Sequence, residues 1–559
     1  MDSTQEQPHS WTRRKLLALG AVSVVGAAAA TVSQIVPAYA ATPLSSVRTT
    51  IAELRASTTA SSDTQYVVSD AGQEGIFYYD AADTSTADNT GLVIVSTAGL
   101  RYKRSYTGEL NAKWFGAKGD GTTNDTTALQ AAISAMPAAT IVIPAGTYLV
   151  GELTVSSHIT LLGLGNVVIK GSVTGGAVIS LQASSTKIAL QSFKVDAALV
   201  SKSGIVINSG CSQVTIDSVE VANVNGDTTR GGYGILLENG AANIGITGCY
   251  IHDVAGYEDG VEGNSPGASR GIHIRAAQQV RISRCLFERI DGFEDGDMIQ
   301  VHGVAQTGGI WNKSDVLIEG NRFIDFKKRA VKIQASGVTV RNNVITSTHA
   351  GSGSDCAYSG ISAFDADSIL IEGNRIDLTR SRYGIEADGI VNSTITGNDI
   401  RVDVAMAYPN ARAGGQNGIS LFGGSRNSVV TGNTIACAYR GIFINDARDN
   451  LVVNSNLFRY TAQYSVFVQD SSGLLLNGNI FEGGSTYSRP YQCMTLTECG
   501  NVQVTGNLFT KGGTAIRLYT TIGKLVLFGN IFSDFTTKLM TTDLNTGEDA
   551  HIFVGEGQI

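Results

Sequence analysis

One eight-residue pattern recurs along most of this chain, and it restricts the fold more than any other feature. It reads apolar, any, apolar, any, Gly or polar, Asn, any, apolar. The clearest copies are Val316-Leu317-Ile318-Glu319-Gly320-Asn321-Arg322-Phe323 and Ile369-Leu370-Ile371-Glu372-Gly373-Asn374-Arg375-Ile376. Other copies end at Ile345, Ile400, Ile435, Phe458, Phe481, Phe509 and Phe532, with looser ones at Val221, Ile251 and Phe287. Many copies lie 22 to 24 residues apart. That step accommodates one turn of a parallel β-helix, three short strands joined by tight turns. Alternation within each copy sends one set of side chains inward, and stacking buries them in a continuous column. The recurring Asn (321, 343, 374, 398, 433, 456, 479, 507, 530) fits an inward ladder whose amides bond from coil to coil. Cys249 and Cys285 hold the same place in earlier copies, which marks them as buried structural thiols rather than metal ligands. The expected fold is all-β: a right-handed parallel β-helix over 141–539, with residues 540–559 breaking the repeat as a C-terminal cap or tail.

Composition agrees with short strands and many turns, being rich in Gly, Ser, Thr, Asn, Val and Ile. The net charge of -8, with no basic block, argues against nucleic acid as a partner. The seven cysteines are an odd number and widely scattered, which argues against a disulfide scaffold. At the N-terminus, Thr12-Arg13-Arg14-Lys15-Leu16-Leu17 precedes an apolar run that ends near Ala38-Tyr39-Ala40. This is the layout of a cleavable export signal, and the paired arginines resemble a twin-arginine signal. Residues 1–40 are therefore expected to be removed, leaving a periplasmic or secreted bacterial protein without a stable membrane segment.

Residues 41–110 read as a small β-rich module, with short strands at Thr64–Val68 and Gly75–Tyr79. Residues 111–140 read as a cap. Trp114-Phe115-Gly116-Ala117-Lys118-Gly119-Asp120-Gly121 leads to a helix over about Thr126–Ala135, capped by Asn124 or Asp125. Its apolar face (Leu129, Ala132, Ile133) would cover the open end of the stack. Ile143-Pro144-Ala145-Gly146-Thr147-Tyr148 then begins the first coil. This opening resembles the start of the pectate-lyase-like β-helix superfamily, which includes phage tailspikes and secreted glycan depolymerases. The resemblance implies the fold and a polysaccharide partner, but no single chemistry. It makes Asp120 and Asp125 structural. Tailspike relatives are often trimers; no assembly motif is visible here, so monomer and homotrimer both stay open.

Longer steps mark coils with extra loops, at 223–232, 255–270, 303–314, 346–358 and 401–416. Repeat proteins gather such insertions on the binding face. A second strand family runs through the same coils: Gly234–Glu238, Gly271–Arg275, Met298–His302, Ala330–Gln334, Gly360–Phe364 and Gly384–Asp388. Its outward positions carry Glu238; His273 and Arg275; Gln300 and His302; Lys332 and Gln334; Phe364; Glu386 and Asp388. Asp295 and Asp297 lie at the turn into the His302 strand, and the loops bring Tyr257, Trp311 and Tyr358 as sugar-stacking rings. With coils about 4.8 Å apart, His273, Arg275, His302 and Lys332 form one patch.

Two chemistries suit it. β-Elimination on a uronate glycan needs a cation for the carboxylate (Arg275), a base for the C5 proton (Lys332 or His302) and an acid at the leaving oxygen. Asp295 and Asp297 would hold Ca²⁺ or orient His302. Hydrolysis needs two carboxyl groups, for which Glu386 with Asp388, or Asp295 with Asp297, have suitable spacing. His302-Gly303 followed by Arg329 and Lys332 resembles the His-Gly and Arg-x-Lys elements of polygalacturonases, with one extra residue between the cations. Their Asn-Thr-Asp element is absent, as is the Asp-Pro-His-Asp motif of the mannuronan epimerases. Elimination is the preferred reading, hydrolysis the alternative, and a non-catalytic glycan-binding spike the third.

Overall fold

The computed structural model describes residues 45–545 and 552–555, apart from 228–230, 257–267, 293–295, 307–308, 310, 349–357, 380, 403–415, 438, 460, 462 and 483–491. The expected export signal, Tyr257 and Asp295 lie outside the described residues.

The chain forms a right-handed parallel β-helix preceded by a small sheet. In the small sheet Thr64–Val68, Gly75–Tyr79, Arg101–Ser105 and Val93–Val95 pair antiparallel. Phe77, Ile94 and Tyr102 are fully buried in its core. Buried Arg104 joins this sheet to the cap. Its guanidinium donates to the carbonyls of Gly91, Glu74 and Gln73 and lies 4.6 Å from the Phe77 ring and 4.7 Å from Trp114. Burial lowers its pKa to about 10, still high enough to stay charged at neutral pH.

The cap helix runs Thr126–Ile133, shorter than expected. Asn124, not Asp125, makes the side-chain cap, accepting from Thr126 N at 3.0 Å. Asp125 instead ties down the preceding loop, accepting from the amides of Lys118 (2.7 Å) and Gly119 (2.9 Å). Leu129, Ala132 and Ile133 are buried in the same apolar cluster as Ile141 and Ile143 of the first coil. Gly146 is required where these meet, since a Cβ there would stand 2.6 Å from the Gly119 carbonyl.

Each full coil then carries three strands. Ser269–Arg275, Gln278–Ser283 and Leu286–Asp291 are followed in register by Gly296–His302, Lys313–Glu319 and Arg322–Ile324. The Asn ladder is continuous from Asn321 to Asn530. Each amide donates to the Oδ1 of the next Asn and to a carbonyl of the preceding coil, while its own Oδ1 accepts a backbone N–H. Cys285 begins the same line, its backbone N donating to Asn321 Oδ1 at 2.9 Å. The six described cysteines are buried free thiols. Inside, Phe458, Phe481, Phe509 and Phe532 stack at 4.9, 4.6 and 5.1 Å. The repeat does not stop at 539. Phe535–Asn545 and Ile552–Val554 pair parallel with the coil before them, so the stretch after Met540 extends the stack. Among the described residues no helix is long and apolar enough to cross a membrane.

Candidate active site

The strands that begin each coil stack into one sheet, and register assembles their outward side chains into rows along the helix axis. One row runs His273, Gln300, Lys332, Ser362, Glu386. A second, two residues further along each strand, runs Arg275, His302, Gln334, with Phe364 and Asp388 paired beyond it. Neighbours in a row stand about 4.8 Å apart and the rows about 6.6 Å apart. His302 and Lys332, diagonal on adjacent coils, are thus about 8 Å apart at the backbone.

A third row escaped the sequence reading. Tyr233, Arg270, Asp297, Arg329, Ser359 and Tyr383 are also in register. They each precede a recurring small residue, Gly234, Gly271, Ala330, Gly360 or Gly384, except that Met298 stands there once. At Gly271 an added Cβ would lie 2.5 Å from the Met298 carbonyl and 2.6 Å from Ile290 Cδ1. The backbone is pinched against the next coil at this place. The third row meets the first row's groups on the same face: the Tyr233 and His273 rings lie 5.4 Å apart, and Arg270 Nε donates to Gln300 Oε1. The recurring small residue is the sequence signal for this row, since the residue before it lies inside the strand. Asp297 is the clearest correction. It lies inside the strand Gly296–His302, fully buried, with Oδ1 3.3 Å from Arg329 Nη1. Its Oδ1 thus faces a guanidinium from the next coil. Among the described residues no three His, Cys, Asp or Glu side chains converge as a metal site.

The cationic end is built from these rows. His273 is buried, and neither ring nitrogen has a hydrogen-bond partner among the described residues. Burial, then the charges of Arg270, Arg275, His302 and Lys332, hold its pKa well below the ordinary imidazole value. His302 is half-buried, and the same causes, burial first, lower its pKa too. Both histidines are therefore neutral bases among cations. The His273 and His302 rings are parallel to within 13° at 6.4 Å. Gln300 Nε2 donates to Gln334 Oε1 at 2.8 Å, and Arg275 is exposed, 3.4 Å from Glu238 Oε1. Trp311 packs edge-on against His302 at 4.9 Å, and its amide donates to the Asp365 carbonyl two coils on.

The acidic end lies two coils beyond Lys332. Glu386 is buried, accepting from Ser362 Oγ at 2.7 Å and Tyr358 OH at 3.2 Å. Burial raises its pKa against the opposing pull of Ser362, Arg329, Tyr358 and Arg382. Asp388, half-buried, is also raised, by burial and by the Asp365 charge. Arg329 spans the two ends, 4.8 Å from the Tyr358 ring and 5.9 Å from Phe364. The face therefore offers neutral bases flanked by cations, followed by carboxyl groups of raised proton affinity.

Comparison with known proteins bears on the fold. The family model described as "Right handed beta helix region" matches residues 177–354 and 352–509. A second, "Phage tail protein small four-stranded beta-sheet domain", matches residues 47–107. The uncharacterized protein YclG of Bacillus subtilis (strain 168) is 25% identical over 351 residues, covering 58% of this chain and 55% of YclG. Alginate lyase 7 of Azotobacter vinelandii is 46% identical over 76 residues, 13% of this chain and 9% of the lyase. The chain thus spans about half the length of the first relative and under a tenth of the second. Among solved structures, the catalytic unit of a GH87 α-1,3-glucanase from Streptomyces thermodiastaticus strain HF3-3 superposes with a TM-score of 0.47 at 14% identity, covering 72% of each chain.

Proposed function

We propose that this chain, which belongs to the right-handed beta-helix family, is an exported polysaccharide-active enzyme that cleaves an acidic, uronate-containing glycan by β-elimination. The observation that carries this reading is His302: half-buried, kept neutral by burial and by Arg270, Lys332 and Arg275, in register with Arg275 and one coil from Lys332.

The chemistry follows from that arrangement. Arg275 and Lys332 neutralise the uronate carboxylate, which lowers the cost of carbanion character at C5. His302 takes the C5 proton; being neutral at pH 7, it is available as a base. The electron pair forms the C4–C5 double bond as the bond from C4 to the glycosidic oxygen breaks. The leaving oxygen takes a proton from the Lys332 ammonium. Arg270 and Gln300 position these groups, and His273 packs against the His302 side without touching substrate.

Hydrolysis is the second reading, favoured by one observation: Glu386 and Asp388 share a strand, two residues apart, and both have raised pKa values. In that reading the protonated Glu386 is the acid and Asp388 the base of an inverting reaction.

The test is incubation of purified protein with a panel of acidic and neutral bacterial and plant polysaccharides. Ultraviolet absorbance from the new C4–C5 double bond, lost in Lys332→Ala and His302→Gln, supports elimination. Reducing ends without that absorbance, lost in Asp388→Asn, would move the assignment to hydrolysis. Binding with no product from any glycan would leave a non-catalytic glycan-binding spike.

A further inference from the structure

Past Glu386 the same face changes character. The first row continues as Ser420, Phe443 and Phe467, and Asp388 is followed by Phe422. Phe422 and Phe443 lie 5.4 Å apart with planes at 75°, and Phe443 and Phe467 5.7 Å apart at 59°. Inside the core, Phe458 and Phe481 on successive coils stack face to face with planes only 3° apart. Outside, the edge-to-face arrangement leaves ring faces that the next ring does not cover. All three outer rings are half-buried, set into the sheet surface rather than projecting from it.

A second observation points to a ligand. Ser420 and Asn417 are almost wholly buried beside these rings, at 0% and 1% exposure. The Oγ of Ser420 and Oδ1 of Asn417 have no hydrogen-bond partner among the described residues. Buried polar atoms in native proteins are nearly always satisfied, and a ligand hydroxyl over the rings would satisfy these two. Arg440 lies against the rings, its guanidinium carbon 4.2 Å from the Phe443 centroid and 4.6 Å from Phe467. The coils of Arg270, Arg275, His302, Arg329 and Lys332 have the opposite balance: many cations and no exposed ring on the strand.

Aromatic faces with neutral donors and acceptors match a pyranose that carries hydroxyls and no charge. We propose that the coils from Asn417 to Phe467 bind a neutral sugar of the same chain whose uronate lies over Arg275 and Lys332. The substrate is then an acidic heteropolysaccharide containing neutral sugars, not a homopolymer of uronate. This rests on the cationic coils holding a uronate, as proposed above.

The test uses affinity electrophoresis of the full chain through three gels: polygalacturonate (uronate only), gellan (glucuronate among neutral sugars) and neutral dextran. Wild type should be retarded most by gellan. Phe443→Ala should weaken gellan binding by about tenfold and polygalacturonate binding by less than about twofold. Phe443→Tyr, which keeps the ring, should behave as wild type, and thermal unfolding followed by circular dichroism checks that each variant folds. Ser420→Ala should weaken gellan binding several-fold. Equal effects of Phe443→Ala on gellan and polygalacturonate, or no effect on either, would overturn the neutral-sugar site. Arg275→Ala and Lys332→Ala separate this from the reading it rests on. If they bind polygalacturonate as wild type does while Phe443→Ala loses gellan, the uronate assignment fails and the aromatic site stands. If they lose both acidic gels while Phe443→Ala loses neither, only the neutral-sugar site fails. Retardation by none of the three gels overturns both.

Discussion

Asn398→Ala tests what holds the coils, and with them the site rows, in register. Asn398 is 1% exposed in the middle of the ladder. Its Oδ1 accepts from Asn374 N at 2.9 Å and from Asn374 Nδ2 at 3.0 Å. Its Nδ2 donates to Ile371 O at 3.0 Å and to Asn433 Oδ1 at 2.9 Å. Truncation removes four hydrogen bonds, but Asn374 Nδ2 keeps its bond to Val340 O and Asn433 Oδ1 keeps the Asn398 N–H, so the groups left short in the core are Asn374 N and Ile371 O. Leaving a buried polar group unmade costs roughly 1–3 kcal/mol, and a water entering the vacated space would re-satisfy part of the loss. A net loss of about 2–4 kcal/mol follows. The assay is guanidinium unfolding followed by far-ultraviolet circular dichroism. The control is Arg375→Ala, on the exposed side of the adjoining strand, with an expected change within about 0.5 kcal/mol. Asn398→Cys should lose less than Asn398→Ala, because the chain already places thiols at this position in Cys249 and Cys285. A loss under about 1 kcal/mol for Asn398→Ala, or one equal to that of Arg375→Ala, would refute the view that the ladder amides hold the turn.

Other outcomes follow from the site. His273 has a lowered pKa in the fold, so the native state binds fewer protons than the unfolded chain; the stability it confers is full above pH about 6.5 and is lost as pH falls through the folded value. Below pH 6.5 wild type should lose up to about 1.4 kcal/mol per pH unit more than His273→Gln in urea titrations, and parallel curves would contradict the assignment. Glu386 has the opposite sign: its raised pKa gives stability that is full at low pH and is lost as pH rises through the folded value, so Glu386→Gln should flatten that loss. Arg329→Met removes the guanidinium that lies 3.3 Å from the buried Asp297 carboxylate and should cost about 3 kcal/mol at neutral pH, read by the same titrations. Gly271→Ala should cost about 2 kcal/mol by the same measurement, since its Cβ would meet the Met298 carbonyl at 2.5 Å.

The parts of this molecule that repeat could be read from its letters, and the parts made by packing between coils could not. Asn321 to Asn530 announce themselves because each copy spends an Asn at the same place, and register needs nothing more. The rows of His273 and Arg275 were equally legible, since period-two alternation fixes which side chains face out. Asp297 and Arg329 were hidden by a different cause. They belong to the row that precedes the small residues Gly234, Gly271, Gly360 and Gly384, where the next coil's carbonyl approaches, and Asp297 itself precedes Met298, so the row shows only when the coils are stacked. Hence Asp297 looked like a turn residue free to bind a cation, when stacking delivers Arg329 to it from the coil after. Trp311 shows the same dependence on stacking: its amide donates to the Asp365 carbonyl two coils on, and its ring packs edge-on against His302. The consequence bears on mechanism: His302 is held by a ring on one side and cations on the other, and that enclosure, more than its outward position, is what keeps it neutral and available as a base.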